Sequence, residues 1–315
     1  MTKKEKTNKS PKRTVKQEMR ATLNRWQLYL MLLPAVIYTA IFCYKPMYGI
    51  LIAFKNYSIK KGILASPWVG FTHFERLFNS YWFPVILKNT MTLSLLGLLI
   101  GFPLPIILAL LLNELKSKKF RQIVQTVSYA PHFISTVVMC GMITMFLSPT
   151  NGIFNRVITS LGYEPVYFMQ HPTWFKWIFE ISGSWQGIGW GSIIFFAALA
   201  AVDQSLLDAA DIDGATRLQK IRYINIPTIM PTIVVMFILR CGQILSIGYE
   251  KAYLLQNDLN LPGSEIISTY VYKVGLENAD FSFSTATGLF NSVVNCIMLF
   301  IVNQISKKVT DSGLF

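Results

Sequence analysis

Six long apolar runs, separated by segments that hold most of the charge, constrain this chain more than any other feature. They lie at about residues 27–44, 91–113, 123–147, 185–202, 226–247 and 286–302. A helix needs about 20 largely apolar residues to cross the hydrocarbon of a bilayer. Composition points the same way: 52% of the 315 residues are hydrophobic and only 14% are charged, where a soluble domain carries about 25% charged residues. The expected fold class is therefore an all-α membrane protein with six transmembrane helices. The first run is expected to be retained rather than cleaved. The 26 residues up to it are long for the charged region of a signal peptide, and Tyr44-Lys45-Pro46 is a poor small-residue cleavage site.

Charge sets the orientation. The net charge is +13, which in a soluble protein would suggest nucleic acid, but here the basic residues flank the apolar runs. If the N-terminus is cytoplasmic, the segments on that side carry 18 of the 29 Lys and Arg. The other side carries 10 on segments that are together longer, and Arg240 lies within a run. That bias places both termini in the cytoplasm of an inner or plasma membrane. The tail from Met1 to about Arg25 is rich in Lys, Thr, Ser and Asn. It has little to bury, so it reads as an unstructured topology signal that can rest on anionic headgroups. It lacks the aromatic interleaving of a nucleic-acid arm.

The outer segments are aromatic. Residues 45–90 contain Trp68, Phe71, Phe74, Phe78, Tyr81 and Trp82, and residues 153–184 contain Trp174 and Trp177, with Trp185 beside them. Such side chains suit packing or anchoring at the headgroup level. Pro103, Pro105 and Pro131 fall inside expected spans, where neighbouring groups satisfy the freed carbonyls. Cys43, Cys140, Cys241 and Cys296 lie far apart, as do His73, His132 and His171. No spacing suggests a metal, a disulfide framework or a histidine-based catalytic pair.

One cytoplasmic stretch differs from an ordinary connection. It runs from Leu207-Asp208-Ala209-Ala210-Asp211-Ile212-Asp213-Gly214-Ala215 through Thr216–Ile226 to Pro227 and Pro231. Its residues predict two short helices. Asp203 is suited to cap the first, Ala209 and Ala210 give it a flat, small-residue surface, and Gly214 can take the left-handed conformation that closes it. The second presents Leu218, Ile221, Arg222 and Ile224, and Pro227 stands where the fifth span is expected to begin. An amphipathic elbow of this kind suits docking onto a soluble partner; the alternative is a helical linker lying on the membrane surface.

This stretch resembles the EAA loop of binding-protein-dependent ABC transporter permeases. It matches at Ala209, Ala210, Asp213, Gly214, Ala215, Ile224, Pro227 and Pro231. It departs at Asp208, where the family has Glu, and at Ile221, where Phe is common. Over roughly residues 27–308 the chain is similar to the carbohydrate branch of these permeases. The shared features include Leu33-Pro34, Trp68-Val69-Gly70-Phe71, Asn89-Thr90, Gly152-Ile153-Phe154-Asn155, Tyr249-Glu250-Lys251-Ala252-Tyr253-Leu254-Leu255, Ile267-Ser268-Thr269-Tyr270-Val271-Tyr272, Gly275-Leu276 and Ala286-Thr287-Gly288-Leu289-Phe290. The set is most similar to permeases for complex oligosaccharides.

The resemblance implies a type I ABC importer permease fold of six transmembrane helices with a cytoplasmic coupling helix. Its implied domains are a basic tail (1–26), a permease domain (27–308) and a short C-terminal tail (309–315). It implies half of a translocation pathway for an oligosaccharide, coupled through the 203–226 loop to a separate ATPase. The implied partners are a second permease subunit in a heterodimer, two ATPase subunits, an extracellular or periplasmic solute-binding protein and the carbohydrate itself. No cofactor is expected on this chain. The pattern GxxxxGK[ST] is absent and no Gly-Lys pair occurs, so ATP is expected to be used by the partner ATPases and this chain is not expected to be an enzyme. A permease for a non-sugar solute remains as the alternative, and an ion-coupled secondary transporter stands behind it. The latter favours acidic residues within the spans and inverted repeats, and neither is found in the six expected runs. Arg240 is the clear charge within a span and a candidate for the pathway, since burying it in lipid is costly; Glu250 lies close beyond it. Phe195, Phe196, Phe237 and Phe290 read as packing residues rather than sugar platforms.

Overall fold

The computed structural model describes residues 26–310 and Gly313, so most of the basic tail and part of the C-terminal tail lie outside the described residues. The chain divides into two compact units between Leu51 and Ile52. The first described stretch is the helix α1, Trp26–Phe54, whose last three residues belong to the second unit. It widens to a π turn over Ala40–Tyr44 and carries Pro34 inside its first segment.

The second unit contains α2 (Trp82–Asn113), α3 (Lys118–Phe133), α4 (Thr136–Phe146), α5 (Pro172–Leu199), α6 (Gln204–Ile212), α7 (Arg217–Cys241) and α8 (Phe281–Lys308). Among the described residues there is no strand, and one isolated bridge joins Lys55 to Trp68. By length and apolarity α1, α2, α7 and α8 can each cross a membrane. The pairs α3–α4 and α5–α6 are bent by 97° and 78°, and together they bring the number of spans to six if each pair counts as one.

Three expectations need correction. The expected span 123–147 is not one helix. It breaks at Ile134-Ser135, after a 3₁₀ turn at Ala130–Phe133 that holds Pro131, and Ser135 caps α4 by accepting from the Val138 N–H. The Gln186 side chain donates to the Ile134 carbonyl at 2.8 Å, satisfying a group that the break frees. The expected span 185–202 starts thirteen residues too late, because α5 begins at Pro172 with His171 as its cap. Pro172 is tolerated there because the first-turn N–H groups have no helical partner. The second elbow helix is not separate from the fifth span. It continues through a π turn at Ile221–Asn225 into Ile226–Cys241. The wider turn relieves the clash that the Pro227 ring would make with the carbonyl four residues earlier.

Helix α5 packs most extensively on the Pro103–Asn113 half of α2. Lipid supplies little hydrophobic drive for helices to associate, so close approach through small residues matters. A Cβ on Gly189 would lie 2.0 Å from the Ser128 carbonyl oxygen of α3, and one on Gly191 would lie 3.1 Å from Pro105 of α2. Ala109 and Leu110 of α2, Phe195 and Leu199 of α5 and Ile229 of α7 form one buried apolar cluster.

Several residues singled out in the sequence serve as clamps. Asn89 donates to the Pro262 and Glu265 carbonyls at 2.9 and 3.0 Å, and Thr90 accepts from the Ile267 N–H at 3.0 Å. They tie the N-terminal part of α2 to the 261–272 segment. Asn155 donates to the Ser148 and Val166 carbonyls and accepts from the Val166 N–H. Gly152 leaves the space where a Cβ would lie 2.4 Å from the Phe146 carbonyl oxygen. Phe290 packs edge-on against Phe78 and Phe83. Lys273 pairs with buried Glu265 at 2.6 Å, and Thr269 donates to the same carboxylate. Arg76 pairs with Asp280 at 2.6 Å on the surface.

Two predictions follow from these contacts. Gly189→Val should destabilise the detergent-solubilised chain by about 3 kcal/mol, because the clash is with backbone; Gly288→Ala, where a Cβ meets nothing within 4 Å, should change it by less than about 1 kcal/mol. Glu265→Leu should cost about 3 kcal/mol by stranding Lys273, whereas Asp280→Ala, which removes an exposed pair and the cap its carboxylate gives to the Phe283 N–H, should cost only about 1 kcal/mol. Thermal unfolding of each variant reads both contrasts.

Candidate functional site

The elbow is built locally from the sequence that suggested it. Asp203 caps α6, its carboxylate accepting from the Ser205 N–H at 2.9 Å. That backbone hydrogen bond, aided by the Ser205 hydroxyl, holds the Asp203 carboxyl below its ordinary range. Gly214 has φ +72°; its N–H donates to the Asp211 carbonyl and the Ala215 N–H donates to the Ala210 carbonyl. This is a Schellman closure, and it requires a residue tolerant of the left-handed region. Thr216 then starts α7 with a capping box to Gln219. Lys220 reaches back to Asp211 at 2.7 Å and fixes the two helices to each other.

The named residues divide by position. Ala210, Asp213, Gly214, Ala215 and Ile224 line a concavity of about 300 Å³ between α6 and α7. Asp208 and Ala209 are exposed on α6, where Gln204 donates to Asp208 at 2.9 Å. Ile221 does not face the concavity; it packs against the buried cluster around Phe195 and Ile229. Pro227 and Pro231 are exposed along α7. Sequence reasoning passed over exposed apolar residues on the elbow helices, of which Tyr223 lines the concavity. Ile212 is 87% exposed and Tyr223 68%, and Leu206 is exposed as well. Large apolar groups left out of a core at a helix corner are themselves a signal of a partner surface.

A second concavity, of about 590 Å³, lies between α2, α5, α7 and the short helix Tyr249–Leu255. Arg240, in the last turn of α7, lines it. Glu250 is exposed and does not line it, whereas Lys251 does. Glu180 of α5 lines it too, although its side chain is nine-tenths buried. The expectation that no acidic residue lies within a span is therefore corrected, because α5 takes in the residues that precede 185.

Glu180 accepts from the Ser184 hydroxyl at 3.0 Å. It fits against the π turn Gly97–Gly101 of α2: a Cβ on Gly101 would lie 2.8 Å from its Oε1, and one on Gly97 would lie 3.4 Å from its Oε2 and 3.0 Å from Nη2 of Arg240. The two glycines thus make room for a carboxylate and a guanidinium side by side. The Lys251 ammonium donates to the Phe179 carbonyl and sits 4.4 Å above the Phe179 ring. Gly187 leaves this wall of α5 open, and Gly183 makes room for the Lys251 ammonium, 3.0 Å from where its Cβ would lie. Glu180, Gly183, Gly187 and Gly191 recur at three and four residues, one helix face, and that spacing could have flagged the site from sequence. Phe195 lines the cavity from the core, and Phe237 packs edge-on against Phe102.

Comparison with known proteins adds the family. Residues 101–311 match the family described as binding-protein-dependent transport system inner membrane component. Protein LplB of Bacillus subtilis (strain 168) is 43% identical over 292 residues, covering 93% of this chain and 92% of LplB. The polygalacturonan/rhamnogalacturonan transport system permease protein YteP of the same strain is 43% identical over 288 residues, covering 91% and 90%. Among solved structures, a chain of a bacterial alginate ABC transporter in complex with an alginate pentasaccharide-bound periplasmic protein superposes with a TM-score of 0.86 at 42% identity, covering 94% of this chain and 99% of that one. By its helices, its elbow and these matches, the chain belongs to the binding-protein-dependent transport system inner membrane components, the permeases of ABC transporters.

Proposed function

We propose that this chain is the transmembrane subunit of an ABC importer, forms half of a translocation pathway for an oligosaccharide, and couples that pathway to a separate ATPase through residues 203–226. Six spans, with both termini in the cytoplasm, carry the permease domain over residues 27–308, between a basic tail at 1–26 and a short tail at 309–315. A second permease subunit supplies the other half of the path, two ATPase subunits use ATP, and a solute-binding protein delivers the sugar from outside. The substrate class is supported by the relative named for polygalacturonan/rhamnogalacturonan and by another named for arabinooligosaccharides, 30% identical over 249 residues.

The observation that carries the coupling role is the elbow itself. A loop that only joined two spans would need neither a Schellman closure, a capping box and an ion pair to hold its corner, nor exposed large apolar residues such as Ile212 and Tyr223 on its helices. Rigidity matters because a partner biases two states of the membrane helices only through contacts that differ between them. Asp208 to Ala210 and Asp213 to Ala215 present the corner. Pro227 and Pro231 lie on the helix that continues from it into the bundle, with Ile221 seated in the core as the mechanical link. The reading of Arg240 as a pathway residue is supported by its lining of the cavity, a support that exposed Glu250, outside that lining, does not share.

Two experiments test this reading. Gly214→Val forces a β-branched residue into the left-handed region, a strain of about 1–3 kcal/mol, and Ala210→Trp fills the concavity. Each should lower substrate-stimulated ATP hydrolysis at least about tenfold while the chain still inserts and purifies; a normal rate would refute the coupling role. Separately, a tag on this chain in gently solubilised membranes should recover a P-loop ATPase and a second permease. Recovery of the chain alone, as a stable homo-oligomer, would favour an ion-coupled transporter instead.

A further inference from the structure

We infer that the cavity formed by Glu180, Arg240 and Lys251 is a carboxylate-recognition site, and that the oligosaccharide it passes carries uronic acid residues. The inference rests on the reading of the chain as an oligosaccharide permease and names the substrate class of its cavity. Three charged groups line one cavity between helices, two cationic and one anionic. Charge in such a place is costly unless it is paired or used. Glu180 is committed: it is nine-tenths buried, held by the Ser184 hydroxyl and set in the space left by Gly97 and Gly101. Lys251 is anchored by the Phe179 carbonyl and ring. Arg240 differs, because no ion pair among the described residues engages its guanidinium, although Nη2 points to the same patch of α2 as the Glu180 carboxylate. One positive charge is thus left uncompensated, enough for one carboxylate at a time.

The chemistry of the free group narrows the ligand. A guanidinium presents a planar fork of donors that matches a carboxylate with two parallel hydrogen bonds. A neutral sugar hydroxyl would use one arm and leave the charge unbalanced. Space for a sugar ring lies beside it, where a Cβ on Gly187 would meet nothing within 4 Å and one on Gly183 would meet only the Lys251 ammonium. Glu180 acts through its neighbours as a positioning residue. It offsets one of the two cations, so a single carboxylate is held weakly enough to move on.

The test uses the complete transporter with its solute-binding protein, reconstituted in proteoliposomes. Substrate-stimulated ATP hydrolysis and uptake are read with short uronate oligosaccharides of galacturonate and of mannuronate–guluronate type, each against its carboxyl-reduced, neutral counterpart. The intact transporter should respond to a uronate and respond at least about tenfold less to the same chain with its carboxyls reduced. Arg240→Gln should lose about tenfold or more of the uronate response, Arg240→Lys should lose less, and Glu180→Gln should tighten apparent affinity for the uronate while slowing turnover. A response to neutral chains alone would overturn the carboxylate site and leave the importer reading standing; silence to every glycan would overturn both. If Arg240→Gln instead prevents the second permease from copurifying, Arg240 pairs with that subunit and the site falls. Lys251→Met, outside the α7 helix, gives an independent variant: an unchanged preference for uronate over its reduced form in both Arg240→Gln and Lys251→Met would also refute the inference.

Discussion

The approach of α5 to its neighbours sets most of what this structure can do. In hydrocarbon, helices gain little from hiding apolar side chains from one another, so association depends on how closely backbones meet. Gly189 brings α5 against the backbone of α3 at Ser128, and Gly191 brings it against Pro105 of α2. One turn earlier the same helix does the reverse. Gly187 leaves its surface open and Gly183 makes room for the Lys251 ammonium, and a cavity forms beside them. Close packing at one level and a void at the next are two uses of the missing side chain, separated by a few residues.

Several polar groups inside this bundle that cannot reach water find a partner on another element, although both side-chain polar atoms of buried Asn225 have none. Gln186 of α5 satisfies the carbonyl freed where α3 breaks from α4, Asn89 and Thr90 close the backbone of the 262–267 segment, and Glu265 holds Lys273. Each is a specific link between distant parts of the chain, of a kind whose loss leaves an unpaired buried group. Arg240 is a different case: it is exposed to the cavity, and no ion pair among the described residues engages its charge.

Much of this architecture was legible beforehand. The apolar runs located the regions that become α1, α2, α5, α7 and α8, because length and apolarity act locally. The elbow was legible in more detail. Asp203 as cap and Gly214 as the left-handed closure are decided by a few neighbouring residues, and both appear as expected. Boundaries were less legible. The run at 123–147 hid a 97° bend, since Pro131 alone does not distinguish a kink from a break. Helix α5 began earlier than its apolar window because Lys176 and Glu180 lower the local hydropathy while still lying on one continuous helix. The merging of the elbow into α7 depended on a π turn that no composition announces.

The sequence by itself determined the membrane class, the family pattern and the closed corner of the elbow, all of which rest on local spacing, helix capping and the free-energy cost of placing charge in lipid. Only the tertiary structure decided which side chains converge. It turned Ile221 into the core and left Ile212 and Tyr223 outside it, drew Lys251 rather than Glu250 into the cavity, and set Glu180 and Arg240 against the same pair of glycines on α2. The reason is physical: a side chain's direction on one helix follows from its own register, but its neighbours depend on crossing angles and breaks set by every other helix at once.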